Sequence, residues 1–485
     1  MRVLLLDPTQ RYYHFGMNIP AMFIERRNLP IGLLYLASSL EEYGHEVFII
    51  DSICCDKTDL FFEPPDKVRL GLLPEDLKEK LLKINPDIIG VSINFTTMAE
   101  PALEMIKFIK SILPDIPIVV GGCHTTIYFK ELLELSFNGH QLIDFVILGE
   151  GEKSFSEFIN CIEKKGSLDN LTNIAFCKNN KIIKKTIKFE YNLDNIKIPA
   201  YHKINFKEYF SRRDKLRNLW LKKLFNLPTF PPKEGLRDLT IITSRGCPYN
   251  CIFCSIHLQN GKKFRAHSVE YVVNHVQKVI KEYNIEYIHF EDDNLGLDPD
   301  RLNGILDGFI KKRLKFQWDT PNGIRADSLN SEIIKKMKKT GCQLVIFGVE
   351  SGNQNILDNI IKKSISLENI ENTLKLCKKE NLQTGAFFLV GFPGETLENM
   401  KQTLNLARYW KEKYNTYTYV GIAIPLPKTK LFSICRKKGY LNNIPTSDDY
   451  ALAYAGKKSL IQTPDFSQSE VIELIQNYLN NKFSY

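Results

Sequence analysis

Three cysteines in the run Gly246-Cys247-Pro248-Tyr249-Asn250-Cys251-Ile252-Phe253-Cys254 have a spacing that speaks most directly of chemistry. Three residues separate the first pair and two the second. Close thiolates in a chain without a disulfide framework hold a metal or a cluster. A cubane iron–sulfur cluster takes four cysteines. Three leave one iron without a protein ligand, free to bind a small molecule, which points to catalysis rather than electron storage. The rival reading adds His257, two residues past Cys254, as the fourth ligand of a closed tetrahedral zinc site.

The elements around the cysteines decide between these. From residue 238 short apolar runs alternate with amphipathic ones. Strands are expected at 239–243, 287–290, 316–320, 344–349, 384–390 and 417–424. Helices are expected at 269–283, 301–311, 331–339, 368–379 and 397–411. Six such units predict an incomplete parallel βα barrel over 238–430, whose chemistry sits at the carboxyl ends of the strands. The cysteine loop directly follows the first of them. Residues 431–485, including 449–456, read as a small helical region.

A second alternation fills 1–164. Strands are expected at 3–6, 46–51, 87–93, 116–120 and 144–148, and helices at 32–43, 74–84, 97–113 and 129–135. This predicts an α/β, doubly wound, Rossmann-like parallel sheet. Such sheets bind ligands outside the carboxyl ends of their strands. Three polar or glycine-rich loops lie there: Ser92-Ile93-Asn94-Phe95-Thr96-Thr97, Gly121-Gly122-Cys123-His124-Thr125-Thr126 and Gly149-Glu150-Gly151-Glu152. Gly-Gly after a strand lets backbone approach a ligand closely. Residues 165–237 read as a linking region, with a hairpin at 174–187 turning on Asn179-Asn180 and a basic amphipathic helix at 211–225. That helix carries Leu216, Leu219, Trp220 and Leu224 among its cations; it either packs between domains or touches a membrane surface or apolar substrate. Pro231-Pro232 closes the region.

With 485 residues the chain exceeds one ordinary core. No apolar run approaches the roughly 20 residues that span a bilayer, and the N-terminus reads as a first strand rather than a signal peptide. Eleven cysteines, an odd number without a paired framework, fit a reducing cytoplasm. The net charge of +9 comes mostly from scattered lysines. The reading expects no nucleic-acid partner, because Arg212–Lys223 lacks the interleaved aromatics of single-strand binders.

Cys-x3-Cys-x2-Cys after a barrel's first strand resembles the radical S-adenosylmethionine (SAM) enzymes. So do Phe253 before the third cysteine, Phe290-Glu291-Asp292-Asp293-Asn294, Gly323-Ile324-Arg325-Ala326-Asp327, Gly348-Val349-Glu350-Ser351-Gly352 and Gly391-Phe392-Pro393-Gly394-Glu395-Thr396. The first half is similar to the cobalamin-binding domain that precedes this barrel in one large subgroup. The similarity lies in Asn28-Leu29-Pro30-Ile31-Gly32-Leu33-Leu34-Tyr35-Leu36-Ala37, the Gly121-Gly122-x-His124 loop and Gly149-Glu150-Gly151-Glu152. The Asp-x-His-x-x-Gly run that puts histidine beneath cobalt is missing; Asp7-Pro8-Thr9-Gln10 stands at the first strand end, with His14 the nearest histidine.

The resemblance implies that Cys247, Cys251 and Cys254 ligate a [4Fe-4S] cluster whose fourth iron chelates SAM. One electron then releases a 5′-deoxyadenosyl radical. Phe253 would pack near adenine, while Asp292, Arg325, Glu350 and Ser351 would contact SAM; the alternative readings are a salt bridge from Arg325 to Asp327 and a cap of the following turn by Asp292. Cobalamin would lie against Ser92, Thr96, Gly121, Gly122, His124, Gly149, Glu150 and Gly151, with His124 touching tail or corrin rather than cobalt. The implied activity is methylation of an unactivated carbon through methylcobalamin. The alternatives are a ring-forming enzyme of the anaerobic porphyrin cyclase type and a non-catalytic cofactor-sensing module. A small-molecule or peptide substrate, a flavodoxin or ferredoxin reductant and a monomeric state complete the expectation.

Overall fold

The computed structural model describes residues 1–13, 29–55, 57–63, 67–218 and 235–480. They fall into two compact units, the first comprising 1–191, 195–235 and 258–260, the second 192–194, 236–257 and 261 onward. Asn28, His14, Leu219, Trp220, Leu224, Phe225 and Pro231-Pro232 lie outside the described residues.

The first unit follows from its apolar runs. Val3-Leu4-Leu5-Leu6 is apolar at every position, so both faces of its strand need cover, and all four residues are fully buried. The repeat is β1 (Arg2–Asp7), α1 (Ile31–Glu42), β2 (Glu46–Asp51), α2 (Pro74–Ile84), β3 (Ile88–Ser92), α3 (Ala99–Ile112), β4 (Ile118–Gly121), β5 (Phe145–Ile147) and α4 (Glu152–Glu163). The hairpin β6 (Ile174–Lys178) and β7 (Lys181–Lys184) completes a seven-stranded sheet of order β7-β6-β5-β4-β3-β1-β2. Its first five strands are parallel; β6 and β7 join antiparallel. Asn179 and Asn180 take positive φ at the turn, as two-residue hairpins require. Leu33, Leu40, Phe155 and Phe158 of α1 and α4 fill one face, and Leu77, Leu81, Met105 and Ile109 of α2 and α3 the other.

One part of this unit has no counterpart in the expected elements. Gln10–Tyr13, Thr58–Glu63 and Lys67–Leu72 form a small antiparallel sheet beyond the ends of β1 and β2. Arg11 ties it down, reaching Glu63 at 2.6 Å, Glu100 at 3.1 Å and Glu104 at 2.9 Å. The helix expected at 211–225 begins earlier, spanning Phe206–Asn218 within the described residues.

The second unit alternates β8 (Asp238–Ile241), α5 (Val269–Tyr283), β9 (Tyr287–Phe290), α6 (Pro299–Lys311), β10 (Gln317–Ile324), α7 (Ser331–Lys339), β11 (Cys342–Glu350), α8 (Leu367–Lys379), β12 (Gln383–Val390), α9 (Leu397–Tyr414) and β13 (Tyr417–Ile422). The six strands are parallel and ordered as in sequence, and among the described residues the two end strands do not pair with each other. This is a partial (βα)6 barrel. β10 runs past the expected end at Thr320, because its pairing is irregular around Pro321 rather than broken there. Three helices follow: α10 (Lys430–Lys438), α11 (Ser447–Tyr454) and α12 (Gln468–Leu479). Among the described residues no helix is long and apolar enough to cross a membrane.

Candidate active site

The cysteine loop leaves β8 through Thr243-Ser244, and the end of β9 holds that exit. Asp292 Oδ1 accepts from Thr243 N at 3.1 Å, Thr243 Oγ1 at 2.7 Å and Ser244 Oγ at 2.5 Å. Burial raises the Asp292 carboxyl above its ordinary pKa, opposed by those donors and by Arg301. Asp293 accepts from Gly246 N at 2.6 Å, one residue before Cys247. Both acids act on the loop's backbone, so Asp292 holds the base of the cysteine loop.

The loop is also held from the far side. Ile252 donates to Ile361 O at 3.0 Å and accepts from Leu431 N at 2.8 Å. The Phe253 ring stands 5.8 Å from Phe392. All three cysteines are half-buried free thiols; burial raises Cys247 and Cys251 and pushes Cys254 up to about 12. Such thiols ionise when a metal takes their protons' place. Among the described residues no three His, Cys, Asp or Glu side chains converge closely enough to hold one metal ion. A mononuclear zinc site takes all four donors on one ion, whereas a cubane takes each thiolate on a separate iron.

Arg325 resolves toward the salt bridge. It meets Asp327 through two nitrogens, at 3.0 and 2.6 Å, and donates to Lys363 O at 3.0 Å and Ser364 O at 2.8 Å. Its guanidinium lies 3.8 Å above the Tyr249 ring, inside the cysteine loop. With Nε, Nη1 and Nη2 each engaged in these contacts, it braces the cysteine loop. Ser351 is fully buried, its hydroxyl 3.3 Å from Thr403 Oγ1 and accepting from Asn353 N at 3.2 Å; it ties β11 to α9. Glu350 ends β11 with φ of 73°, buried against Lys363 at 2.7 Å.

Two groups escaped the sequence reading as site residues. Lys363 carries no motif signal. Glu395 sat inside a quoted motif, but no role was read from it: its Oε2 accepts from Gly391 N at 2.8 Å and Phe392 N at 2.7 Å, shaping the turn that presents Phe392 to Phe253. Burial pushes its carboxyl up to about 7.

In the first unit the ends of β3, β4 and β5 come together. His124 Nδ1 lies 3.2 Å from Thr96 Oγ1, its ring 4.6 Å from Tyr128, and burial takes its pKa down to about 4. Asn94 donates to Ser92 Oγ at 3.1 Å. The close approach at Gly122 (φ +122°) is made by Ile93 O, 2.6 Å from where a Cβ would stand, so the neighbouring strand's loop by itself calls for glycine there. Gly121 is not crowded, with Ile147 3.8 Å away. Gly149 N donates to Thr126 Oγ1 at 2.9 Å, Glu150 O accepts from Ser154 Oγ at 3.0 Å, and Gly151 packs on Leu36 of α1. Phe95, at 65% exposure, is the large apolar group this surface offers. A cleft of about 350 Å³ opens beyond β1, lined by Thr9, Phe61, Arg69, Leu77, Glu104 and Met105.

Comparison with known proteins decides the family. Residues 241–407 match the Radical SAM superfamily and 24–159 the B12 binding domain. An uncharacterized methyltransferase of Pyrococcus horikoshii is 31% identical over 83% of this chain and 77% of its own. The chain belongs to the cobalamin-binding radical SAM enzymes. Cytidylyl-2-hydroxyethylphosphonate methyltransferase of Streptomyces wedmorensis is 26% identical over 100% of this enzyme and 90% of its own length. The anaerobic magnesium-protoporphyrin IX monomethyl ester cyclase of Cereibacter sphaeroides is 24% identical over 90% and 64%. The structure of OxsB, a cobalamin-dependent SAM radical enzyme with aqua-cobalamin, shares the fold with a TM-score of 0.63 and 20% identity. It covers 84% of this enzyme, which spans 52% of OxsB's length. The family's cofactors are a [4Fe-4S] cluster, SAM and cobalamin, and the donor set fits the cluster: three thiols on one doubly anchored loop.

Proposed function

We propose that this radical SAM enzyme is a cobalamin-dependent C-methyltransferase that places a methyl group on an unactivated carbon. One observation carries the reading: the same chain joins a three-cysteine loop on β8 to a parallel sheet of order 2-1-3-4-5 that matches the B12 binding domain. The 31% relative, itself a methyltransferase by name, supports it. When bound, the cluster supplies one electron to SAM and the cobalamin supplies the methyl group.

The chain's own residues bind, orient and exclude water. Cys247, Cys251 and Cys254 would hold the cluster, and Asp292, Asp293 and Arg325 keep their loop in place. Phe253 and Phe392 form an apolar wall beside Cys254, and Glu350 is the side chain offered to SAM. Ser92, Thr96, Phe95, Gly121, Gly122, His124 and 149–151 would face cobalamin. The hydrogen bond that holds His124 to Thr96 supports its place in the contact surface. No general acid or base is required, because the substrate loses a hydrogen atom rather than a proton. A small-molecule or peptide substrate, a flavodoxin- or ferredoxin-type reductant, a monomer and a reducing compartment belong to the same reading, the last supported by eleven free cysteines.

Anaerobically reconstituted protein should retain cobalamin, form deoxyadenosine with dithionite, and move labelled methyl from SAM to its substrate. Failure to retain any corrin sinks the proposal. The cyclase relative keeps ring formation as the second reading; a product that gains unsaturation but no carbon would select it.

A further inference from the structure

Lys363 is buried beside the cysteine loop, and three features mark its surroundings. The chain reaches it through a π-helical turn, Ile356–Ile361, a rare form concentrated at functional sites. Three non-glycine residues around it, Glu350, Lys362 and Ser364, hold φ angles of 73°, 62° and 54°. Such backbone persists only where the surroundings impose it. Its ammonium sits out of water on Glu350 Oε1 at 2.7 Å. Burying two charges costs as much as or more than their attraction returns, so stability alone is a poor reason for the pair.

The pair is fixed to the cysteine loop. Ile252, next to Cys251, donates to Ile361 O at 3.0 Å. Arg325 grips the carbonyls of Lys363 and Ser364 while stacking on Tyr249. Gly348 is the bed on which the pair lies: a Cβ there would stand 2.9 Å from both Glu350 Oε1 and Lys363 Nζ. Burial lowers the Lys363 pKa, yet Glu350 and the Cys251 thiol together lift it above its ordinary value, so it stays charged.

We propose that Lys363 and Glu350 form an electrostatic pair that sets the reduction potential of the cluster held by Cys247, Cys251 and Cys254, Lys363 raising it and Glu350 lowering it. The inference rests on the radical SAM reading. On taking one electron from an external low-potential donor, the cluster gains one negative charge. A buried ammonium stabilises that charge and a buried carboxylate opposes it, with little water to screen either.

The test is an EPR-monitored redox titration of the full chain with its reconstituted cluster, without SAM, cobalamin or substrate, with dithionite as reductant. Lys363→Met should lower the ratio of reduced to oxidised cluster at a fixed potential by about tenfold, or 59 mV for a one-electron couple. Glu350→Gln should raise the ratio, the double variant should return toward wild type, and Lys363→Arg should match it. Opposite signs are what a merely structural role cannot give. Single variants with a full iron complement and unchanged ratios, or with shifts of one sign, overturn the proposal. Should Lys363→Met lose its iron, the sign of Glu350→Gln and the match of Lys363→Arg decide. Absence of a cluster in the wild-type chain would instead refute the radical SAM reading itself.

Discussion

The two units share one plan, parallel strands each followed by a helix, but they finish their strand ends in opposite ways. Every barrel helix that follows a strand starts on a side-chain cap: Ser268, Asp298, Asn330, Ser366 and Thr396. In the first unit α1 to α4 start at Pro30, Leu73, Met98 and Gly151 with no side-chain cap. Buried ionisable side chains follow the same division. The barrel's strand ends hold Asp292, the Arg325–Asp327 bridge, Glu350–Lys363 and Glu395, all but Asp327 buried. The ends of β3, β4 and β5 rely on hydroxyls, an imidazole kept neutral and glycine. The loop proposed to carry an anionic cluster is braced beforehand by charge, whereas the strand ends proposed to face a broad corrin keep open backbone and weak contacts.

The largest effect should come from cutting the braced side at its ligands. Cys254→Ala should bring cluster absorbance and deoxyadenosine formation to background while the bound-cobalamin spectrum stays; loss of both cofactors together would mean the two sites are not independent. Next comes pH. His289 lies between Asp319 at 2.8 Å and Asp238 at 3.2 Å; burial lowers its pKa, but the two carboxylates raise it to about 9. A raised histidine stabilises the fold fully below its unfolded pKa of about 6.5, and that stability is lost as pH rises through about 9. The loss should be on the order of 3 kcal/mol. Urea midpoints of His289→Gln should lack this alkaline slope. His124 runs the other way: its lowered pKa weakens the first unit only as pH falls from about 6.5 towards about 4.

Gly122→Ala tests the glycine side. A Cβ at φ +122° against Ile93 O should cost about 1–3 kcal/mol and loosen cobalamin by about tenfold, with iron content unchanged. An equal loss of iron would erase the contrast between the units. The smallest effect belongs to His124→Gln. It breaks one hydrogen bond to Thr96, worth about 1 kcal/mol, and should leave the cobalamin spectrum as it was; a changed spectrum would make His124 a cobalt ligand.

The parts of this molecule legible in its sequence are those written in periodicity. Helices 74–84, 269–283 and 331–339 fall on their observed bounds, because amphipathic runs ended by caps or left-handed Asn85 and Asn284 leave little freedom. The small sheet at 10–13, 58–63 and 67–72 was not legible, since one of its two pairings joins segments more than fifty residues apart. In the site, spacing marked the cysteines, but the partners of charged groups depend on where strands end. Arg325 had two chemically equal acceptors in prospect, and only the turn at Asp327 decides. Lys363 becomes relevant through a π-helical turn that no composition signals.

The open side of the barrel has a consequence for solubility. Among the described residues β13 is an end strand whose outer edge pairs with no further strand, and an open edge templates self-association. The helix α12 lies against it, with Tyr478 OH 3.1 Å from Thr418 Oγ1 and Val471 seated on Gly391. This helix, far from the cysteines in sequence, thus acts as a guard: a chain trimmed before Gln468 would keep its cluster loop and expose a strand ready to pair with another copy.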